Sequence, residues 1–555
     1  MQSPEVTALL RRAWAALQQG QPVAARADCE AALQRAPESF DAWRLYAVVL
    51  QGQGDTGRCR GALERALALR PGDGGTALDL GTLWLQSGDG ATALPLLATA
   101  MRALPEEPRA AFRYGTAAFL CADFAAAASG FEAATRLDPQ WTQAWNNLAA
   151  ARGRLQQYPS AITAARNALR LDPNAASSHQ ALASLLSNLF DRPSLEEGLR
   201  CALRALQLDP SLAEAHRNAA IVLRKLGEPA RAEAHARQAL QRAPRDIDTI
   251  DTLGEQLLLN GDTAGAVATY AQALAAGVNS PILQRQHGIA LLQDGQPQPA
   301  SAALSQALQA QPDDQRAIAH LGVALAAQGR ATAASQWLGL HRHVHAVELS
   351  PPDAYIDRDS FHTALAADIR RHSQQRWEPA GLAARNAYLS GDLLADRTTA
   401  IVGFEERLRA AIEAFVQRCR AQAAGERADN NVPGDALPGD MFLRNVPGNY
   451  RLHVWATQAA ERGYIDTHIH EDSWLSGAYY VELPPAIRAD DSSHAGWIEF
   501  GRPFGKLPQW PESELRRVCP EAGTLLLFPS YLFHRTLPYS GSGERISISF
   551  DLAAI

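Results

Sequence analysis

A chain of 555 residues exceeds one compact domain. With 46% hydrophobic and 20% charged residues it reads as a folded protein. Its net charge of −7 argues against nucleic acid as the main partner, because phosphate binding needs a basic surface. Cys29, Cys59, Cys121, Cys201, Cys419 and Cys519 are scattered without a C-x-x-C pair. They suggest neither a disulfide framework nor a zinc site, and a reducing cytoplasm is expected.

The N-terminal stretch MQSPEVTALLRRAWAALQQG is amphipathic, and Arg11 and Arg12 interrupt it, unlike a signal peptide. No run of about 18 apolar residues follows, so no membrane span is expected. From here to residue 345 the chain repeats. Pro37, Pro71, Pro105, Pro139, Pro173, Pro210, Pro244 and Pro312 are spaced by 34, 34, 34, 34, 37, 34 and 68 residues, the last being two periods. Proline ends the second helix of each unit, since it lacks the amide and clashes with the preceding turn. Trp145 and Leu148 supply large residues, and Ala161 and Ala168 small ones that let two helices approach. Gly115, Phe131 and Ala134 occupy equivalent places in the preceding copy. The extra residues near 191–197 are expected to lengthen one helix junction.

In period and content, residues 5–345 resemble tetratricopeptide-repeat proteins. The resemblance implies about ten helix pairs stacked into a superhelix over 1–345, with an inner surface for a peptide or protein. A scaffold that only holds neighbouring parts apart is the plainer alternative. The isolated His179, His216, His235, His287 and His320 read as structural or exposed.

A linker is expected over 346–359, with Pro351 and Pro352 at the boundary. His341, His343 and His345 alternate just before it. The last array helix is expected to run into this segment, where i and i+2 do not share a face. No carboxylate or cysteine completes a metal set there. Helical patterns return in SFHTALAADIRRHSQQ and TTAIVGFEERLRAAIEAFVQRCRAQ, and 423–440 reads as a polar Gly/Pro loop, with or without a lid role.

After Met441 the period becomes that of strands. RLHVWATQAA, AYYVELP, GWIEFG, GTLLLFP and RISISFDL are short and rich in β-branched and aromatic residues. The expected fold class is therefore multidomain α + β: a helical solenoid, then a jelly-roll (double-stranded β-helix) domain with flanking helices over 360–555.

The chemistry gathers at the end. In the last strand Arg545, Ser547, Ser549 and Asp551 share one face, because strand side chains alternate. A buried Arg needs an anion, and a dicarboxylate cosubstrate suits its planar fork, with Ser547 adding a further hydrogen bond. A solvent-facing edge strand is the bland alternative. Upstream, His468, His470 and Asp472 alternate, and His534 follows far downstream. Two histidines and a carboxylate on one face are the ligand set of non-haem Fe(II) oxygenases. On an extended strand, positions 468 and 472 would lie about 13 Å apart. The site therefore takes either His468 with His470 or His470 with Asp472, closed by His534. Ligand chemistry favours the pair with Asp472.

The segments HVWATQAAERGYIDTHIHEDSWLSGAYYVELP, GWIEFGRP and PEAGTLLLFPSYLFHRTLPYSGSGERISISFDLA resemble a family of 2-oxoglutarate- and Fe(II)-dependent oxygenases that often follows tetratricopeptide repeats in bacteria. The resemblance spans roughly 360–555. It implies Fe(II) at His468 or His470 and at His534, and 2-oxoglutarate on Arg545 and Ser547. Tyr480 would be a donor to 2-oxoglutarate, since Tyr479 and Tyr480 face opposite ways; both as packing aromatics is the plainer reading. His453, Trp455 and His494 are further candidates to line the cavity. Glu471 and Asp472 stand where the family has proline, which leaves the third ligand open. The layout also resembles aspartyl/asparaginyl β-hydroxylase, where helical repeats precede an oxygenase barrel. The implied activity consumes O2 and hydroxylates a peptide or protein delivered by the repeats, without nucleic acid or membrane. A repeat scaffold with an inactive barrel is the alternative.

Overall fold

The computed structural model describes residues 3–372, 376–377, 383–428 and 441–555. Packing divides the chain into two units, residues 1–189 with 193–222 and residues 190–192 with 223–555. Among the described residues no helix is long and apolar enough to cross a membrane.

The first unit is built of helix pairs such as Pro108–Leu120 with Phe124–Leu137. Small residues set the approach of that pair: a Cβ on Gly130 would lie 2.7 Å from the Gly115 nitrogen. The first five pairs each turn on one left-handed residue. Gly20, Gly54 and Gly88 hold it, followed at the same spacing of 34 by Ala122 and Gln156, both at φ 58. Asp55, Asp89 and Asp123, one residue on, accept an amide hydrogen from the first turn of the following helix, as N-caps do. Successive repeats are stitched by a periodic hydrogen bond. Trp43 donates from Nε1 to the Pro37 carbonyl (2.8 Å) and Trp145 to that of Pro139 (3.0 Å). His179 stands in the same place, its Nε2 at 3.0 Å from the Pro173 carbonyl, so this array histidine is structural. The extra residues near 191–197 appear in helix Arg192–Leu208, which has 17 residues where Tyr158–Leu171 has 14.

In the second unit the repeats continue through Ile247–Asn260, Thr263–Ala275, Pro281–Gln293, Pro297–Ala310 and Gln315–Leu325 to Ala331–Trp337. The last helix stops there and does not run into 341–345. Gly339 turns left-handed (φ 64), and its carbonyl takes the His343 amide. The stretch read as a linker begins inside a strand, β1 (His345–Glu348). Helix Arg358–Arg371, β2 (Arg376–Trp377), β3 (Ala384–Leu389) and helix Thr399–Ala428 follow. Residues 423–428, read as the start of a loop, are thus helical, and 429–440 lie outside the described residues. The remaining strands are β4 (Tyr450–Ile465), β5 (Leu475–Glu482), β6 (Ile498–Phe500), β7 (Arg516–Val518), β8 (Thr524–Pro529), β9 (His534–Thr536) and β10 (Arg545–Ala554).

They form two antiparallel sheets, one ordered β1-β8-β5-β10-β4-β3-β2 and the other β7-β6-β9. Ile546, Ile548, Phe550 and Leu552 of β10 are all buried, in the same core as Phe361 and Leu365 of one flanking helix and Phe404 and Leu408 of the other. Each such side chain contributes roughly 1.5–3 kcal/mol, which holds the strand while its other face stays polar. That core runs without a break from Ile289 in the repeats to Leu552. Tyr531 donates its hydroxyl to the Leu338 carbonyl (2.9 Å), and Arg516 donates to the carbonyls of His341 (2.7 Å) and Val344 (2.8 Å). The short strands of the smaller sheet are gathered by one carboxylate. Glu499 of β6 accepts from Arg517 of β7 (2.8 Å), Arg535 of β9 (2.8 Å) and Arg502 (2.7 Å).

The left-handed turns generate a test. Glycine enters that conformation without penalty, whereas a Cβ costs roughly 1–2 kcal/mol. Gln156→Gly should therefore stabilise the first unit by about 1 kcal/mol, seen as a higher urea midpoint, while Gly88→Ala should destabilise it by a similar amount.

Candidate metal centre

β4 ends at Ile465, and the chain then runs extended only as far as His470, because Glu471 and Asp472 form a turn. Within that run His468 sits opposite His534 in an antiparallel bridge. Each amide donates to the other's carbonyl at 3.1 Å. Directly opposed residues place their side chains on one face, and His470, two positions on, joins them. The amide of His470 is held by the Ser530 carbonyl at 3.0 Å. Ring centroids are 4.2 Å apart for His468 and His534, 4.9 Å for His468 and His470, and 5.2 Å for His470 and His534.

One ring nitrogen from each of the three lies within 4.8 Å of the others, so the group could hold a metal ion. Hydrogen bonding identifies that nitrogen. Nδ1 of His468 faces the Asp466 carbonyl (2.8 Å), Nδ1 of His534 the Leu532 carbonyl (2.9 Å), and Nδ1 of His470 the Asp551 carboxylate (2.8 Å). All three partners are acceptors, so every Nδ1 carries the hydrogen and every Nε2 keeps its lone pair free. Burial pushes His468 down to about 4 and His534 well below the ordinary imidazole range. Both are therefore neutral near pH 7, as metal ligation requires. Phe528 and Phe500 flank His534, and Trp455 of β4 lies beside His470.

Of the expected residues, the structure brings His468, His470 and His534 together. It leaves Asp472 exposed on the turn, outside the group. The break at 471–472 decides this: extended backbone would have kept 470 and 472 on one face, and the turn carries Asp472 off it. Arg545 is buried, 1% exposed, with no carboxylate partner among the described residues. Its guanidinium donates to Thr536 Oγ1 (2.8 Å) and to the Gly496 carbonyl (3.3 Å). Thr536 is two residues from His534 on β9, so the cation and the imidazoles lie along one wall. Ser547 is opposite Tyr480 on β5 and Thr457 on β4. Burial raises the Tyr480 phenol to about 12, and the nearby Arg545 charge opposes that rise. Tyr479 points the other way, its hydroxyl 2.7 Å from His362 Nε2 beneath the flanking helices. His453 is opposite Asp551 in register, while His494 packs on Trp497 in the loop whose Gly496 meets Arg545. The alternating histidines are used elsewhere: His343 packs on Phe442 and His345 on Phe415.

Sequence reasoning missed the partnership of Asp551 with His470. Alternation had already put Asp551 on the face of Arg545, and only its partner, 81 residues away, was hidden.

Residues 453–551 match the family model described as "Putative 2OG-Fe(II) oxygenase". Residues 16–80 and 291–345 match one tetratricopeptide-repeat model, and 78–140 another. No curated protein matches the chain. Among solved structures, a thermophilic tetratricopeptide protein of Thermus thermophilus is 25% identical, covering 34% of this chain and 100% of its own, with a TM-score of 0.31. MamA from Desulfovibrio magneticus is 18% identical over 32% of this chain and 99% of its own, with a TM-score of 0.29. A tetratricopeptide repeat protein from Parabacteroides merdae is 14% identical over 52% and 100%, with a TM-score of 0.35.

The histidines' environment sets a pH dependence. The folded values of His468 and His534 lie below the unfolded one, near 6.5, so the stability they carry is whole above pH 6.5 and is lost as pH falls toward 4. Urea unfolding of the metal-free protein should show a falling midpoint across this window, and a shallower fall in His534→Phe.

Proposed function

We propose, for a chain that joins tetratricopeptide repeats to a C-terminal domain matching the "Putative 2OG-Fe(II) oxygenase" family, that it is an Fe(II)- and 2-oxoglutarate-dependent dioxygenase hydroxylating a peptide or protein held by the repeats. One observation carries the reading. Three imidazoles offer Nε2 to a common point, and a buried guanidinium with no carboxylate partner among the described residues lies along the same wall. In this reading His468, His470 and His534 hold the iron and Asp472 does not. Imidazole suits ferrous iron, and three ligands on one side leave the other positions open.

When bound, iron with 2-oxoglutarate and O2 supplies the oxidising chemistry, yielding succinate, carbon dioxide and a hydroxylated substrate carbon. The chain's own residues bind, orient and exclude water. Arg545 takes the far carboxylate of 2-oxoglutarate through its planar fork, which gives the buried cation the anion it lacks. Thr536 Oγ1 and the Gly496 carbonyl fix the guanidinium plane. Ser547 and Tyr480 offer hydroxyls from the adjoining strands. Phe528, Phe500 and Trp455 line the imidazoles with apolar surface that keeps bulk water away.

Support for a substrate held by the repeats comes from the site's rim. His320 of helix Gln315–Leu325 packs its ring on Phe533, next to His534 (centroids 5.4 Å apart). Arg316 of the same helix lies 3.5 Å from Glu471, next to His470. Both pairs fall within one compact unit, so a chain lying along the last repeats reaches the imidazoles directly.

Anaerobic addition of Fe(II) and 2-oxoglutarate should give a weak visible charge-transfer band. His468→Ala and His534→Ala should abolish it, and Asp472→Asn should retain it. Arg545→Met should weaken 2-oxoglutarate binding by about 10–100-fold. The same change should raise the melting temperature of the cosubstrate-free protein, because an unpaired buried charge is replaced by an apolar chain. A band that survives His534→Ala, or that is lost in Asp472→Asn, contradicts the ligand assignment.

A further inference from the structure

Three polar residues of the C-terminal motifs are left over by that reading: Ser476 in W-L-S-G, Ser530 in F-P-S, and Asp551 at the end of the polar face of β10. The fold brings them into one hydrogen-bonded chain. The register of β10 against β5 sets Asp551 opposite Ser476. Ser476 donates its hydroxyl to Asp551 Oδ1 (2.6 Å), and the hydroxyls of Ser476 and Ser530 are 2.7 Å apart. Asp551 Oδ2 receives the Nδ1 hydrogen of His470 (2.8 Å), and the Ser530 carbonyl receives the His470 amide (3.0 Å). His470 is thereby held at both its backbone and its ring by one connected set.

Among the three histidines His470 is distinct. His468 and His534 give their Nδ1 hydrogens to backbone carbonyls, whereas His470 gives its own to a side-chain carboxylate. Asp551 meets the Nδ1 side of the ring, so it faces away from the point that the Nε2 atoms share.

We propose that Asp551 is the positioning residue of the centre, delivering through the imidazole of His470 the negative charge that a carboxylate ligand would otherwise bring directly. This rests on the three-histidine reading above. Imidazole ligands bring no negative charge of their own to a divalent ion. A carboxylate hydrogen-bonded to a ligand imidazole makes that imidazole a stronger donor and locks its tautomer and ring angle. Ser476 and Ser530 hold the carboxylate in turn, so the serines of both motifs serve the ring of His470.

The test uses the full chain, with Asp551→Ala and Asp551→Asn beside wild type. In metal-free protein, 15N-resolved imidazole spectra report the His470 tautomer. Wild type and Asp551→Asn should show the Nδ1–H form, since an amide oxygen still accepts that hydrogen. Asp551→Ala should show a mixture with the Nε2–H form. Anaerobic titration with Co(II) alone should give affinity about 10–100-fold weaker in Asp551→Ala, with Asp551→Asn in between. Equal tautomer and equal Co(II) affinity in wild type and Asp551→Ala would overturn the proposal, leaving Asp551 as a strand buttress. Should Asp551→Ala fail to fold, Asp551→Asn decides: a Co(II) affinity and absorption spectrum unchanged from wild type rule out a role for the charge. Failure of wild type to bind Co(II) or Fe(II) at all, with the tautomer still fixed, overturns the metal reading instead.

Discussion

Two backbone hydrogen bonds between His468 and His534 carry the site. They close a bridge one residue wide between a segment just past β4 and the first residue of β9. That bridge sets two imidazoles side by side, their ring centroids 4.2 Å apart, and the backbone to His470 adds the third. Acceptors already placed by the fold then hold each Nδ1 hydrogen, and the three free nitrogens converge. In the proposed centre, ligand preorganisation is a matter of tautomer as much as of distance, because an imidazole tied the other way would point a hydrogen at the ion.

The second constraint is a strand with two incompatible faces. β10 buries Ile546, Ile548, Phe550 and Leu552 on one side and presents Arg545, Ser547, Ser549 and Asp551 on the other. The apolar side is anchored in a core shared with two helices and the last repeats, and this rigidity lets a guanidinium stay buried without an ion pair among the described residues. A charge so placed destabilises the free protein and favours whatever anion neutralises it.

Much of this was legible in the sequence wherever the physics is local. Proline spacing set the repeat because helix termination depends on one residue and its neighbours. Strand alternation separated Tyr479 from Tyr480 and placed Asp551 on the face of Arg545. What stayed hidden depends on where a strand breaks and on what is brought from far away. Whether His468 or Asp472 groups with His470 and His534 depends on a turn at 471–472 that no spacing rule specifies. The segment after the array looked like a linker because β1 has four residues, and its partner, β8, lies far along the chain. His320 read as an isolated array residue, yet its ring lies against Phe533 at the rim.

The most direct measurement is anomalous diffraction at the iron edge from crystals grown anaerobically with Fe(II) and 2-oxoglutarate. The account predicts a single peak about 2.0–2.2 Å from Nε2 of His468, His470 and His534, a distance usual for metal–imidazole bonds. It also predicts a 2-oxoglutarate carboxylate against both terminal nitrogens of Arg545. A peak on Asp472, a peak lacking any one of the three imidazoles, or a cosubstrate that leaves Arg545 untouched would contradict it.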